Sequence, residues 1–302
     1  MASHQLVLAV VGPWSMETSK QFWESFTPTA IPAGHARGVL HARFLSEHDW
    51  TPVETTVTQD GERARIEVSG RGDLDAAAGQ VARFLSLDID AGGWPAVGAR
   101  DPIIAAAQAA LPGFRPCGFH SPYEAACWAV LSQRTRVPIA AQLRRELITN
   151  HGTGGMLPAP KTLHQKITSG QLELPGRKAE YLCAVADAAV DGILTGPQLR
   201  AVPEETAREQ LLTITGIGPF ATDLILIRGT NATDILPRAE RRLDQEITHL
   251  YGPEATRDTV SEAWRPFRSW AAVHLRAGRE GREGRMHDCL QSGQPLVPDR
   301  RL

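Results

Sequence analysis

Between Leu211 and Leu243 the chain reads LLTITGIGPFATDLILIRGTNATDILPRAERRL, and two features in this stretch could do chemistry. The first is Gly216-Ile217-Gly218-Pro219. Glycines permit backbone geometry closed to other residues, Pro219 suits the first turn of a helix, and bare amides at a helix start can hold a phosphate. The second is Glu240, set among Arg241, Arg242 and Asp244. An ionised carboxylate held in a water-poor pocket can stabilise a developing cation or orient and deprotonate an attacking water. Each feature alone has a plain alternative, a tight turn for the glycines and a solvated surface acid for Glu240. Asp234, nearby in a turn, suits the capping of the coming helix.

These residues need elements to hold them. Leu211, Leu212 and Ile214 end one apolar helix, which spans about 204–212; Ile217, Phe220, Leu224 and Ile227 recur at helical spacing in the next. The expected arrangement is helix, hairpin, helix, followed by a turn at Asp234-Ile235-Leu236-Pro237 and a third helix that begins near Glu240.

The order LxxIxGIGPxAxxL, then Arg228-Gly229, then the Asp-Ile-Leu-Pro turn and a new helix, resembles the helix-hairpin-helix DNA glycosylases, specifically the AlkA-type 3-methyladenine DNA glycosylases. The resemblance runs without a gap from Gly216 to Leu243. It implies that Thr215, Gly216, Ile217, Gly218, Pro219, Phe220 and Ala221 face the DNA backbone, helped by a structural Na+ or K+ on the carbonyls of Leu212, Ile214 and Gly216. It places the family's catalytic Asp at Glu240, a departure at the most important position. Both acids ionise well below neutral pH, but the extra methylene shifts the oxygens by about a bond length, and misplacement of about 1 Å can cost roughly a hundredfold in rate. Where a related lyase branch carries a nucleophilic lysine this chain has Phe220, so strand cleavage is not expected.

The same resemblance places Gln133 and Arg134 in a turn whose side chain fills the gap left by an extruded base; an Arg could stack its planar guanidinium there, or could simply be a solvated surface side chain. It places the substrate pocket at Phe220, Leu224, Arg276 and Trp128. The family uses large aromatics in a pocket for an electron-poor alkylated base. Here Phe220, Leu224 and Arg276 stand at the positions of two indoles and a phenol, and because Trp is the best face for a cation, weaker discrimination for a positively charged purine is expected. Arg177 and Lys178, at the start of a helix over 176–191, could face phosphate or bulk water.

Composition sets bounds. The 302 residues carry a net charge of −2, which by itself argues against a polyanionic partner. The charge is unevenly divided: residues 1–99 hold 7 Lys+Arg and 12 Asp+Glu, a difference of −5, and residues 100–302 hold 25 and 22, a difference of +3. The basic excess lies with the hairpin. Cys117, Cys127, Cys183 and Cys289 are far apart and form no metal-binding spacing, and only Cys289 lies near the C-terminus, so no iron–sulfur cluster is expected, and plain thiols in a reducing compartment are. The N-terminal residues show no basic region followed by an apolar run, and no apolar run spans a bilayer; a cytoplasmic, nucleoid-associated protein is expected.

Fold class follows from periodicity. A short apolar strand at 5–11 and alternating segments at 38–44, 52–59 and 64–70, with helices over 16–25 and from Leu74 to Leu85, predict a small antiparallel sheet backed by helices in residues 1–100. Gly92, Gly93 and Pro95 mark 88–101 as a linker. Residues 101–278 are expected to be all helical, with a capping box at Ser121-Pro-Tyr-Glu124, a helix from Pro138 to about Thr149, and a closing helix over 264–275 whose Trp264, Phe267, Trp270 and Val273 pack the core. Residues 279–302 are expected to form a flexible tail. The class is therefore α+β, a sheet domain before a helical glycosylase-like domain. The implied function is monofunctional excision of a flipped, damaged base from double-stranded DNA by a monomer; the alternative is a non-catalytic DNA-damage binder that has lost the Asp.

Overall fold

The computed structural model describes residues 2–25 and 38–292, without the side chains of Glu280 and 282–292. Residues 26–37 and the final ten residues lie outside the described part, and with them the last ten residues of the tail expected at 279–302.

The N-terminal region holds β1 (Ala2–Ala9), α1 (Met16–Ser25), β2 (Val39–Leu45), β3 (Pro52–Asp60), β4 (Arg63–Gly70) and α2 (Leu74–Phe84). The four strands form one sheet in the order β1-β4-β3-β2 with every neighbour antiparallel. Period-two alternation sets its register: Leu40 lies opposite Val57, and Val57 opposite Ile66, all buried on one face. Against that face pack Met16 and Trp23 of α1 and Ala77, Ala78 and Val81 of α2. Asp73 caps α2, its carboxylate accepting the Ala76 N–H at 2.9 Å.

The segment expected as a linker is not one. Trp94–Arg100 forms α3, followed directly by α4 (Pro102–Ala110). Pro95 sits in the first turn of α3, where a proline starts a helix as readily as it ends one. Trp94 and Val97 are buried with Ile104, Trp264, Phe267 and Trp270 in a core of their own. Asp101 ties that core together: it caps α4 through the Ile103 N–H at 2.9 Å and accepts from Tyr251 Oη at 2.6 Å and Trp264 Nε1 at 2.8 Å. A second, larger core runs without interruption from the sheet into the hairpin helices, so packing does not divide at residue 100.

The remaining elements are α5 (Pro122–Ser132), α6 (Val137–His151), α7 (Pro160–Thr168), α8 (Lys178–Val190), α9 (Gly196–Ala201), α10 (Glu204–Leu212), α11 (Pro219–Leu224) continued by a π turn (Ile225–Gly229), α12 (Arg241–Tyr251), α13 (Arg257–Ser261), a 3-10 turn (Glu262–Trp264) and α14 (Arg268–Ser292). Ser121 caps α5 as expected, accepting the Glu124 N–H; the Glu124 carboxylate turns instead to His120 and Arg144, 3.4 and 3.8 Å away. Burial would raise the Glu124 pKa, but these two neighbours bring it below its ordinary value. The closing helix starts later than expected, at Arg268, with Trp264 in the 3-10 turn before it. Asp234 caps that helix and not the next one in the chain: its Oδ1 accepts the Arg268 N–H at 3.2 Å and Arg268 Nε at 2.9 Å. Beyond residue 278, α14 continues to Ser292 through half of the expected tail. Among the described residues, no helix is long and apolar enough to cross a membrane.

Candidate nucleic-acid interface and active site

The hairpin forms where the glycines place it. Gly216 has φ +91°, and a Cβ there would drive into the Tyr181 ring; only glycine meets both conditions. Gly218, the N-cap of α11, faces open space, which leaves room for a foreign backbone. Thr215, Pro219 and Phe220 are exposed beside it, Phe220 at 49%. Ile217 and Ala221 are different: both side chains are buried in the core, so they hold the hairpin to the body and only their backbones could reach DNA.

Gln133 and Arg134 occupy the turn between α5 and α6. Arg134 is exposed with φ +50°, a conformation that costs a non-glycine residue on the order of 1–3 kcal/mol and persists only where neighbours impose it. The neighbours are visible. Gln133 Nε2 donates to Gly216 O at 2.8 Å, tying the turn to the hairpin, and Lys178 Nζ donates to Val130 O at 3.0 Å and Gln133 O at 2.8 Å. Lys178 is thus a buried cap on the C-terminus of α5, its pKa lowered by that burial, and does not face phosphate. Arg177 is exposed but paired with Glu180 and stacked over Tyr181 at 5.0 Å.

The carbonyls named for a cation are partly engaged: Ile214 O accepts the Ile217 N–H at 2.9 Å and Gly216 O accepts Gln133 Nε2. A carbonyl has two lone pairs, and neutral hard oxygens suit an alkali ion, so the set still fits one.

Glu240 stands at the N-cap of α12, half exposed, its Oε1 accepting the Arg242 N–H at 3.0 Å. Its partner is a backbone amide and not a guanidinium, and Oε2 remains for another ligand. The side chain opens on a cavity of about 570 Å³ that Trp128, Phe220, Leu224 and Arg276 also line. The four positions expected from sequence to form a pocket therefore line one cavity together with Glu240. Ser132 and Thr135, on either side of the Arg134 turn, line the same cavity.

Sequence reasoning passed over the residue that sets this arrangement. Asp223, on the buried side of α11, is 3% exposed; its Oδ1 accepts Arg208 Nη1 at 2.7 Å, and its Oδ2 accepts the N–H groups of Arg238 and Ala239 at 2.7 and 2.8 Å. Those are the two residues before Glu240, so the turn leading into α12 is pinned to the hairpin helix by one saturated carboxylate. The signal was present as an acid inside the apolar run ATDLILI. Arg228, which lines the cavity from the end of the π turn and donates to Cys117 O at 2.6 Å, and Phe22 of α1 were also missed, because α1 is remote in sequence. Cys117 and Cys127 are buried and burial pushes both thiols up to about 12, the behaviour of small core residues.

No protein-family model matches the sequence. Among curated proteins, the chain is 28% identical over 234 residues to a probable bifunctional transcriptional activator/DNA repair enzyme AlkA of Mycobacterium tuberculosis, covering 74% of this chain and 47% of that protein. It is 28% identical over 176 residues to DNA-3-methyladenine glycosylase 2 of Escherichia coli, covering 55% of this chain and 61% of that one. The chain thus spans about half the length of the Mycobacterium relative. Among solved structures, a 3-methyladenine DNA-glycosylase from Archaeoglobus fulgidus superimposes with a TM-score of 0.68 over 90% of this chain and 96% of that one, at 18% identity. An 8-oxoguanine glycosylase/lyase of Clostridium acetobutylicum in its apo form gives 0.60 over 90% and 95%, at 16% identity.

The chain is thus similar in sequence to curated DNA-3-methyladenine glycosylases and shares its fold with solved DNA glycosylases.

Within this fold, the hairpin, the Arg134 turn and the N-terminus of α12 are three separate pieces of chain set around one cavity. Asp223 and Gln133 are the side chains that join them.

Proposed function

We propose that the protein is a monofunctional DNA glycosylase of base excision repair that hydrolyses the N-glycosidic bond of a damaged base flipped out of double-stranded DNA. The observation that carries this reading is the placement of Glu240, an acid at a helix tip with one oxygen on a backbone amide and a cavity of about 570 Å³ in front of it.

In this reading the exposed hairpin amides and Thr215 grip the phosphates. A monovalent cation held by the carbonyls of Leu212, Ile214 and Gly216 would add positive charge at that grip. Arg134, already fixed in its turn, fills the gap left when the base leaves the stack. The base enters the cavity against Trp128 and Phe220. As the bond from C1′ to the base nitrogen lengthens, cationic character grows on C1′ and the ring oxygen, and the Glu240 carboxylate stabilises it. Water attacks C1′; its proton passes to Glu240 and the leaving base takes the bonding pair.

With Phe220 where a Schiff-base lysine would stand, borohydride should trap no covalent adduct, whereas a lyase would be trapped. The curated relatives are named for 3-methyladenine, which makes an alkylated duplex the first substrate to try. The protein acts as a monomer on the nucleoid, which size-exclusion measurements with and without DNA would check. The deciding experiment is release of free base from alkylated duplex DNA. The wild-type chain should release it, and Glu240→Gln should slow release by about two to three orders of magnitude while duplex affinity persists; binding without release by either protein would leave a non-catalytic damage binder.

A further inference from the structure

We propose that the cavity beside Glu240 accepts a neutral base bearing a carbonyl oxygen and disfavours a base with a fixed positive charge, with Arg276 as a specificity-determining residue. This rests on the excision reading and concerns only which base is taken.

The charges lining the cavity carry the argument. Four arginines line it from three elements: Arg228 from the π turn, Arg241 and Arg242 from the first turn of α12, and Arg276 from α14. The Arg228 guanidinium lies 5.3 Å from the centroid of the Phe22 ring, another part of the lining. An aromatic face that could have met a cationic base therefore already carries a cation of its own. The acids on the lining are Asp223 and Glu240. Asp223 has both oxygens taken, by Arg208 and by the N–H groups of Arg238 and Ala239, and Glu240 stands at the helix tip, where the sugar must come. No carboxylate on the lining is left over to neutralise a charged base.

Guanidinium groups donate hydrogen bonds and accept none. They complement a carbonyl oxygen or a ring nitrogen with a lone pair, and they repel a ring that carries a positive charge. Trp128 offers a stacking face that charged and neutral bases share, so discrimination falls to the arginines. Each guanidinium has several N–H donors, so it can hold a protein partner and still meet a base.

The test compares hypoxanthine, neutral with a carbonyl oxygen and a free N7 lone pair, and 7-methylguanine, which keeps the carbonyl but loses that lone pair and is cationic in the nucleoside, in one duplex context. Single-turnover release of each is divided by its spontaneous loss. Wild type should accelerate hypoxanthine release more than 7-methylguanine release by roughly tenfold or more, the worth of one hydrogen bond to a charged donor. Arg276→Gln should shrink that ratio by a similar factor, and Arg276→Lys should keep most of it, with affinity for an abasic duplex unchanged in both. A wild-type ratio at or below one overturns the assignment, whatever the variants do. So does an unchanged ratio in Arg276→Gln that binds abasic duplex normally. If wild type releases 7-methylguanine alone, only the neutral-base assignment falls; if it releases no base from any lesion duplex, the excision reading falls with it.

Discussion

The two sides of the hairpin are built on opposite principles. On the buried side, Asp223 and Arg208 are 3% and 6% exposed and satisfy one another and the turn before α12. On the open side, Glu240 keeps one oxygen uncommitted, Arg134 holds a left-handed backbone, and Phe220 leaves half its surface in water. One side is saturated and inert; the other carries strain, exposed apolar surface and unused hydrogen-bonding capacity. Charge alone therefore does not mark a candidate catalytic acid in this fold, since the better-partnered carboxylate, Asp223, is spent on packing.

Breaking the saturated side should give the largest change. Asp223→Ala leaves a buried guanidinium and two backbone N–H groups without their acceptor, and loss of one partner of a buried pair costs about 3–5 kcal/mol. A chemical-denaturation midpoint much lower than wild type is expected; a change under about 1 kcal/mol would show that the turn before α12 does not depend on this contact.

The open side should respond in the opposite sense. Glu240→Gln should lower the single-turnover rate of base release by about two to three orders of magnitude, the effect of removing one preorganised electrostatic group, with denaturation changed little, since its cap on α12 is worth about 1 kcal/mol. A large stability loss with a small rate effect would invert the comparison.

A pH dependence separates the scaffold from the site. His274 of α14 is buried beside Trp94 and Phe114, its Nδ1–H donating to Trp270 O, and burial lowers its pKa from 6.5 to about 4. The unfolded chain binds that proton near pH 6.5 and the folded chain only near pH 4. The contribution is thus complete above pH 6.5 and is lost as pH falls toward 4, up to about 3 kcal/mol. Denaturant unfolding of wild type and His274→Gln at pH 7 and pH 4.5 should show their stability difference shrinking at the lower pH; parallel losses would assign the acid sensitivity elsewhere.

The smallest effect is the most diagnostic. Arg134→Gly relieves the left-handed strain and should leave stability unchanged or raise it by up to about 1 kcal/mol, while base release from a paired lesion slows more than release from single-stranded DNA. Equal slowing on both substrates would show that Arg134 is not filling a gap in the duplex.

Much of this was legible from sequence because it was local. The strands alternate, the glycines of the hairpin fall where φ must be positive or a backbone must approach, and α10 spans the residues its pattern marked. Errors arose where one local signal serves two purposes. Pro95 after Gly92-Gly93 resembles a linker but starts α3, and Asp234 sits where an N-cap for the next helix would but caps α14, thirty-odd residues later in the chain. Lys178 fits either phosphate or bulk water by its sequence, yet it is buried as a cap on α5.

The amino-acid order by itself determined the hairpin, the α+β class, and Glu240 as the acid at the start of a helix, since each depends on backbone preference and periodicity within a few turns. Only the tertiary structure decided that Trp128, Phe220, Leu224, Arg276 and Glu240 share one cavity, that Asp223 is spent on the turn before α12, and that Arg228 already occupies an aromatic face there. Those facts depend on which charges end up buried, on what, and with which partners, and long-range packing settles all three.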